Sequence, residues 1–390
     1  MLSVIRRARK SLGQMLLGLG AVVLSACVPA TGPGTPPPGG RSVQVALLVP
    51  SGSGQSQDEL FGSNLENAAR LAMADLSGVN VDLRVYRTGG SPSKASALAK
   101  QAVDEGAQVI LGPFYSEEAN AAGVAVASTG VNVLAFSNNA AIAGGNVFVL
   151  GQTFDVTARR LAGYAVRNGK SSVLIVHDRN VAGEVGKAAI ERGVAAAGGK
   201  VVGVTSYEFS QNGIVQAAPA IVSAAKSSGA TALFLTADTA GALPLLSQML
   251  VDNGIDRSTT QFIGLTRWDI PPATLSLPGV QGGWFAMPDP GLTAQFRARY
   301  QAAYGSQPVP VAALAYDGIA AIGALAGRVK GGGPIGKADL TQSAGFAGVA
   351  GIFRFLPNGT NQRGLAVAQI RGNQVVVVDA APRSFAGAGF

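Results

Sequence analysis

Short apolar runs recur along most of this chain, and most of them stop at glycine, proline, serine or asparagine. Within residues 108–139, the run Val109–Leu111 ends at Gly112, an alanine-rich segment follows, and a second apolar run ends at Ser137. This order predicts a strand, a helix and a second strand parallel to the first. The loops after both strands then meet at one edge of the sheet, where open α/β sheets bind their ligands.

The pattern runs twice in tandem, over residues 43–150 and 153–265. Its strands are apolar on both faces, which predicts sheets that helices cover on both sides. Near its end the chain changes to short apolar runs at 352–355, 365–370 and 374–379, separated by turn residues. We interpret these runs as antiparallel strands added to the edge of the second sheet. The predicted fold class is α/β, with two lobes and a cleft between their carboxyl edges.

Composition and charge limit the class of partner. The chain has 390 residues, of which 47% are hydrophobic, so it can fill large cores, and its length indicates two or three domains. Four of the eight net positive charges lie within the first ten residues, which leaves +4 for the rest. The remaining basic residues are scattered and are not interleaved with aromatic ones. We therefore expect no nucleic acid partner.

The first residues predict export. Residues 1–26 read as a lipoprotein signal peptide, with a basic start, a short apolar run and Leu-Ser-Ala before Cys27. The apolar run is far shorter than the roughly 20 residues that span a membrane. Cys27 is the only cysteine, so we expect it to be lipidated, and residues 27–41 form a tether rich in proline and glycine. A lipid-anchored periplasmic protein is expected, and Val28 is compatible with sorting to the outer membrane.

Patterns for catalysis, metals and cofactors are weak. His177 is the only histidine, and no nucleophile is tied to it by sequence spacing. The glycine-rich loop 51–54 lacks the lysine of a phosphate-binding loop. Glu117 and Glu118 are adjacent and would point about 100° apart on a helix, so we interpret them as a solvated helix N-terminus rather than an acid pair. We expect no enzymatic activity, no metal and no cofactor.

Polar side chains at strand ends in both halves are the candidate ligand-binding residues. Some of them suit helix capping instead, and Ser116 is well placed for an N-cap. Convergence from two halves favours a cleft with a few placed polar groups. The candidates are Ser51, Tyr115, Ser116, Ser137, Asn138, Asn139, Asp178, Asp238, Thr266, Arg267 and Trp268.

The segments 45–54, 82–90, 110–116, 133–138, 173–178 and 315–319 together resemble the leucine/isoleucine/valine-binding branch of type I periplasmic binding proteins. The resemblance implies two Rossmann-like lobes with parallel sheets, three crossovers, and closure on a small ligand. The lobe boundaries it gives are 42–152 with 287–346 for lobe I, 153–286 with 347–380 for lobe II, and 381–390 as a C-terminal tail.

The family's ligand site is only partly present. Ser116 and the loop from Ser137 match family positions that face the ligand. Ala182 stands where the family often has a tyrosine, and Thr266 stands where the carboxylate for the ligand's ammonium would fall. Arg267 beside it would repel a cation. A buried ammonium without its counter-charge loses several kcal/mol, which argues against ordinary amino acids.

The segments 278–290 and 348–370 are similar to a group of lipoproteins called penicillin-binding protein activators, which reuse this fold. That similarity implies regulation of peptidoglycan synthesis through contact with a penicillin-binding protein. The alternative is solute capture for an amino-acid ABC transporter, with its permease as the partner and a small molecule in the cleft.

Overall fold

The computed structural model describes residues 41–327 and 333–386. The predicted signal peptide, Cys27, most of the predicted tether and the last four residues of the C-terminal tail therefore lie outside the described residues.

The first half of the chain forms a parallel sheet of five strands, in which the strands 79–87, 41–49, 109–111, 133–135 and 147–149 lie side by side in that order. Alternate residues of the strand Arg41–Val49 enter different cores: Val45 and Leu47 pack on one face, and Ala46 and Leu48 pack on the other. This confirms the prediction that both faces of the sheet are buried. The elements are β1 (Arg41–Val49), α1 (Ser56–Ala74), β2 (Val79–Arg87), α2 (Pro92–Asp104), β3 (Val109–Leu111), α3 (Ser116–Val126), β4 (Val133–Ala135) and β5 (Val147–Val149).

The second series builds a separate sheet in the same way. Leu174 and Val176 enter one core and Val173 and Ile175 the other, so helices cover both faces here too. The elements are α4 (Phe154–Arg167), β6 (Ser172–Asp178), α5 (Val181–Ala196), β7 (Lys200–Tyr207), α6 (Gln211–Ser227), β8 (Ala232–Leu235), α7 (Leu243–Asp252), β9 (Gln261–Gly264) and β10 (Trp284–Met287).

The last part of the chain contributes to both lobes. The helices Pro290–Tyr304 and Ala312–Leu325 supply Phe296, Tyr300 and Ile319 to the core of the first sheet. The elements are α8 (Pro290–Tyr304), α9 (Ala312–Leu325), α10 (Lys337–Leu340), β11 (Phe346–Gly348), β12 (Gly351–Phe355), β13 (Asn361–Arg363), β14 (Ala366–Arg371) and β15 (Gln374–Asp379).

The three predicted C-terminal strands divide between two sheets. β14 and β15 are antiparallel edge strands of the second sheet, whose order is β15-β14-β10-β9-β8-β6-β7, as predicted. The run at 352–355 was expected there too, and this is wrong. It forms β12 of a small antiparallel sheet with β11 and β13. Phe353 and Phe355 of β12 are buried in the core of the first lobe, so the chain returns to the second lobe later than residue 347.

The chain passes between the two lobes three times. The crossings lie between β5 and α4, between β10 and α8, and between β13 and β14. This confirms the predicted two-lobed α/β fold with three crossovers. Within the described ranges, none of the helices combines the length and the apolar character needed to cross a membrane.

Candidate functional site

A cavity of about 660 Å³ lies where the three crossovers meet the carboxyl edge of the first sheet. Each crossover contributes to its wall: Gly151 and Gln152 from the first, Pro288 from the second and Leu365 from the third. Because the wall includes every connection between the lobes, an occupant of this cavity touches the segments that join them.

Most of the cavity wall is apolar. The Phe61 and Phe114 rings lie with their centroids 4.9 Å apart. These rings come from α1 and from the loop after β3, and further apolar side chains come from the segment that leads into α9. The apolar lining includes Phe61, Phe114, Phe136, Val309, Pro310, Val311, Ala313 and Leu314.

Five predicted residues belong to the polar part of the wall on the first lobe: Tyr115, Ser116, Ser137, Asn138 and Asn139. Ser137 Oγ accepts a hydrogen bond from the Asn139 amide at 3.1 Å, so this hydroxyl also shapes its own loop. Ser116 is the first residue of α3 rather than its N-cap, which is Tyr115. Within the described ranges, the side chains of Ser116 and Asn138 make no hydrogen bond to protein, which leaves both free for a ligand.

Tyr115 is held by a buried acid. Its hydroxyl donates to Asp58 Oδ1 at 2.5 Å, and Asp58 is 4% exposed. The hydrogen bond to Asp58, together with burial, raises the pKa of Tyr115 to about 12. The phenol therefore stays neutral over the physiological pH range and fixes this side of the cavity.

Glu118 departs from the sequence prediction. Glu117 is exposed at the cavity wall, but Glu118 is fully buried, so the predicted solvated pair is wrong for Glu118. One oxygen of Glu118 accepts from the Tyr115 amide at 3.4 Å, and Oε1 has no partner among the described residues. Burial raises the pKa of Glu118.

Two arginines reach the cavity, and both are paired. Arg363 donates through Nε and Nη2 to the Leu150 carbonyl at 2.9 and 2.6 Å, and through Nη1 to Asp317 Oδ2 at 3.0 Å. Arg267 donates through Nε to Asp269 Oδ1 at 2.8 Å. The predicted repulsion of a cation by Arg267 is therefore offset by Asp269. Arg363 was missed because its partners lie far away in the sequence.

Five other candidates lie outside the cavity wall. Trp268 is fully buried in the second lobe. Asp178 accepts from Tyr207 and Thr236, which is an internal network, and burial raises the pKa of Tyr207. Thr266 donates to the Ala237 carbonyl. The other two are Ser51, buried against Gly62, and Asp238, which is exposed.

His177 is buried in the second lobe, with Nδ1 3.1 Å from the Asp178 carbonyl oxygen and 3.6 Å from Glu184 Oε1. These contacts position the ring and bring no serine or cysteine nucleophile to it. Among the described residues, no group of three or more histidine, cysteine, aspartate or glutamate side chains forms a metal-binding cluster.

Comparison with known proteins identifies the family to which this chain belongs. A sequence profile for the family described as periplasmic binding protein matches residues 42–374. The chain belongs to the periplasmic binding protein family. Members of this family bind ligands in the periplasm, which is the location that the family implies. A search of curated proteins finds no match.

Solved structures agree with this fold over nearly the whole chain. One is a branched-chain amino acid ABC transporter periplasmic ligand-binding protein from Burkholderia xenovorans, with 18% identity, 88% of this chain and 97% of that chain covered, and a TM-score of 0.68. Another is an ABC transporter substrate-binding protein from Desulfitobacterium hafniense in complex with Leu, with 18% identity, coverage of 86% and 100%, and a TM-score of 0.62. A third is a solute-binding protein of an ABC transporter from Rhodopseudomonas palustris in complex with benzoate, with 20% identity, coverage of 90% and 98%, and a TM-score of 0.57.

Proposed function

We propose that this protein binds a small molecule with a large apolar body in the cavity at the three crossovers. The observation that supports this is the cavity itself, which has about 660 Å³ and a wall made mostly of phenylalanine, proline and aliphatic side chains. That volume lies within the range of small-molecule sites, and an apolar wall with a few polar groups is typical of them. Free polar groups on Ser116 and Asn138 then orient the ligand.

The charges at the wall favour a ligand without an ammonium group. Glu117 is the one carboxylate that lines the cavity among the described residues, and it is exposed. Asp269 and Asp317 are already paired with Arg267 and Arg363. An ammonium buried deep in the cavity would therefore lack a counter-charge, which costs several kcal/mol. A benzoate-like monoanion fits this wall better than leucine does.

Binding of benzoate and of leucine to the purified protein, measured by calorimetry and thermal unfolding, tests this proposal. A ligand at 100 times its dissociation constant adds about 2.7 kcal/mol to the free energy of unfolding. We expect benzoate to stabilise the protein more than leucine does. The Leu314→Trp variant should lose binding because the indole fills the cavity.

The matched control is Val124→Trp, since Val124 lies on α3 and is 72% exposed. This variant should bind as the wild type does. Tighter binding of leucine than of benzoate would contradict the proposed ligand class, and unchanged binding in Leu314→Trp would contradict the proposed cavity. Delivery of the ligand to an ABC permease is the use that the three solved structures suggest for a protein of this kind.

A second candidate function is regulation of peptidoglycan synthesis through contact with a penicillin-binding protein. It is favoured by the similarity of segments 278–290 and 348–370 to activator lipoproteins. The structure pairs strands from these segments, with Trp284 opposite Gln369. The predicted lipidation at Cys27 and the outer-membrane location belong to this candidate.

Crosslinking in cell envelopes, followed by capture of the protein, tests the second candidate. Recovery of a penicillin-binding protein, and faster glycan polymerisation by that synthase in the presence of the purified protein, would support it. The Leu314→Trp variant separates the two functions, because it should abolish ligand binding and leave the synthase contact intact. If no penicillin-binding protein of the same organism binds or responds, this candidate is wrong.

A further inference from the structure

A second cavity, of about 460 Å³, lies between the start of α4, the face of α5 and the turn that joins β12 to β13. It shares no lining residue with the cavity at the crossovers. Its wall is richer in polar side chains, among them Asp155, Arg159, Arg192, Asn358 and Gln362.

The charges in this second cavity are mostly positive. Arg192 donates through Nε to Asp155 Oδ1 at 2.8 Å, and both side chains are about half exposed. Arg159 is exposed and pairs with no carboxylate in the part of the chain that the structure describes. Two guanidinium groups therefore face one carboxylate, and Arg159 is available to an incoming anion.

The amide side chains also present donors. Asn358 Oδ1 already accepts hydrogen bonds from the Thr360 amide at 3.1 Å and the Thr360 hydroxyl at 2.7 Å. Gln362 Oε1 already accepts from Arg354 Nε at 2.7 Å. The acceptor oxygens are thus occupied, and the two amide NH₂ groups make no hydrogen bond to described residues. The free NH₂ groups of Asn358 and Gln362 favour an anion. Asn361, which also lines this cavity, differs from them, because its Oδ1 is buried without a partner among the described residues.

The two lobes each supply one side of this cavity. Val156 of α4 and Val194 of α5 belong to a core of the second lobe, whereas Phe355 of β12 belongs to the core of the first. Asn361 lines the cavity and donates through Nδ2 to the carbonyls of Val149 and Gly151 at 2.6 and 2.8 Å. An occupant would therefore contact both lobes beside the first crossover.

We propose that this second cavity is a binding site for a small carboxylate or phosphate anion, separate from the apolar cavity at the crossovers. The anion pairs with Arg159 and Arg192 and accepts hydrogen bonds from the amides of Asn358 and Gln362. Carboxylates and phosphates share the acceptor geometry that guanidinium groups recognise, so both chemistries fit these donors.

Calorimetric titrations of the purified protein with citrate and, separately, with inorganic phosphate at constant ionic strength test this site. We expect saturable binding of at least one of them, and the stronger of the two identifies the anion class. Arg159→Ala should raise the dissociation constant about tenfold, because it removes one charge-assisted hydrogen bond. A tenfold change corresponds to about 1.4 kcal/mol of binding free energy. Asn358→Asp should weaken binding further, because it replaces a donor with a negative charge and keeps the oxygen that Thr360 uses.

Two controls keep the test specific. Arg297→Ala removes an exposed arginine that bonds Gln307 outside both cavities, and it should bind the anion as the wild type does. Leu314→Trp should also leave anion binding unchanged, so failure of the apolar site and failure of this site are distinguishable. The proposal is overturned if the wild type binds neither anion, or if Arg159→Ala and Asn358→Asp bind as tightly as the wild type.

Discussion

At the scale of the residue, Trp268 is a candidate binding residue whose indole ring instead packs in the core of the second lobe. It fills the space beside Gly264, the last residue of β9, and Gly283, which directly precedes β10 in the second sheet. A Cβ atom at Gly264 would lie 2.2 Å from Trp268 Nε1, and one at Gly283 would lie 2.2 Å from Cζ3. The ring is fully buried and takes no part in the cavity wall.

Alanine at Gly264 or Gly283 should therefore destabilise the protein, by about 1–3 kcal/mol, because the core cannot absorb the added methyl group. Urea unfolding checks this. Gly163→Ala is the control, since its Cβ would meet only the flexible end of Arg167 at 3.4 Å. Replacing this helical glycine should be neutral or stabilise the protein by up to about 1 kcal/mol. Equal effects at the three positions would contradict the tight contact with Trp268.

Glu118 gives a prediction about pH. Burial raises its pKa above the ordinary value of 4.5, so the folded state favours the protonated form. The stabilisation from that protonated form is complete below pH 4.5 and is lost as the pH rises through the raised pKa. The Glu118→Gln variant lacks this loss, so its stability relative to the wild type should increase from pH 4.5 towards neutral. Unfolding midpoints across this pH range measure the difference, and a constant difference would show that Glu118 is not the cause.

At the scale of the element, the hairpin of β12 and β13 is held to the first lobe by its turn as well as by its phenylalanines. The Gly359 carbonyl accepts from the Val149 amide at 2.8 Å, and the Phe355 ring lies 5.5 Å from that of Phe148. These contacts explain why this apolar run joins the first lobe although the strands after it join the second.

Alanine at Gly359 should weaken that attachment. Gly359 has φ of 83°, and its Cβ would lie 2.4 Å from the Val147 carbonyl oxygen. Gly372 has φ of 55° and open space around it, so Gly372→Ala isolates the backbone cost of about 1–2 kcal/mol. Gly359→Ala should cost clearly more than Gly372→Ala in urea unfolding. Equal costs would mean that the close approach to β5 contributes nothing.

At the scale of the whole molecule, Arg363 links a crossover to the core of the first lobe. Its guanidinium bonds the Leu150 carbonyl at the first crossover and pairs with Asp317 on α9, and both charged side chains are buried. Asp317 also accepts from the Val349 amide at 2.8 Å. The position of the apolar cavity therefore depends on contacts between segments that are far apart in the chain.

Replacing Arg363 by methionine should destabilise the protein by about 3–5 kcal/mol, because Asp317 is left as an uncompensated buried charge. The double variant with Asp317→Asn should lose less than the sum of the two single variants. Arg70→Met is the control, since its pair with Glu66 is exposed and contributes about 0–1 kcal/mol. A similar loss for Arg363→Met and Arg70→Met in denaturant unfolding would contradict the buried role of Arg363.

Six of the eleven candidate residues named from the sequence line the apolar cavity. Tyr115, Ser116, Ser137, Asn138 and Asn139 follow strands of one parallel sheet, so local pattern alone brings them to one edge. The same argument placed Asp178 and Trp268 in the cleft, yet both are held by internal contacts of the second lobe. Phe61 was missed because it lies on helix α1, and Arg363 was missed because it ends β13, a strand that the sequence analysis did not predict.

The sequence by itself determined the alternation of strands and helices and the parallel sheets, whereas the three crossovers were expected only from the family resemblance. Apolar periodicity and turn residues act over a few positions, so they are visible in a single chain. Only the tertiary structure decided which strand-end residues face the apolar cavity, which lobe holds β12 and β13, and which charges are paired. Those outcomes depend on contacts between distant residues: Arg363 and the Leu150 carbonyl are 213 positions apart, and nothing local to either residue encodes their pairing.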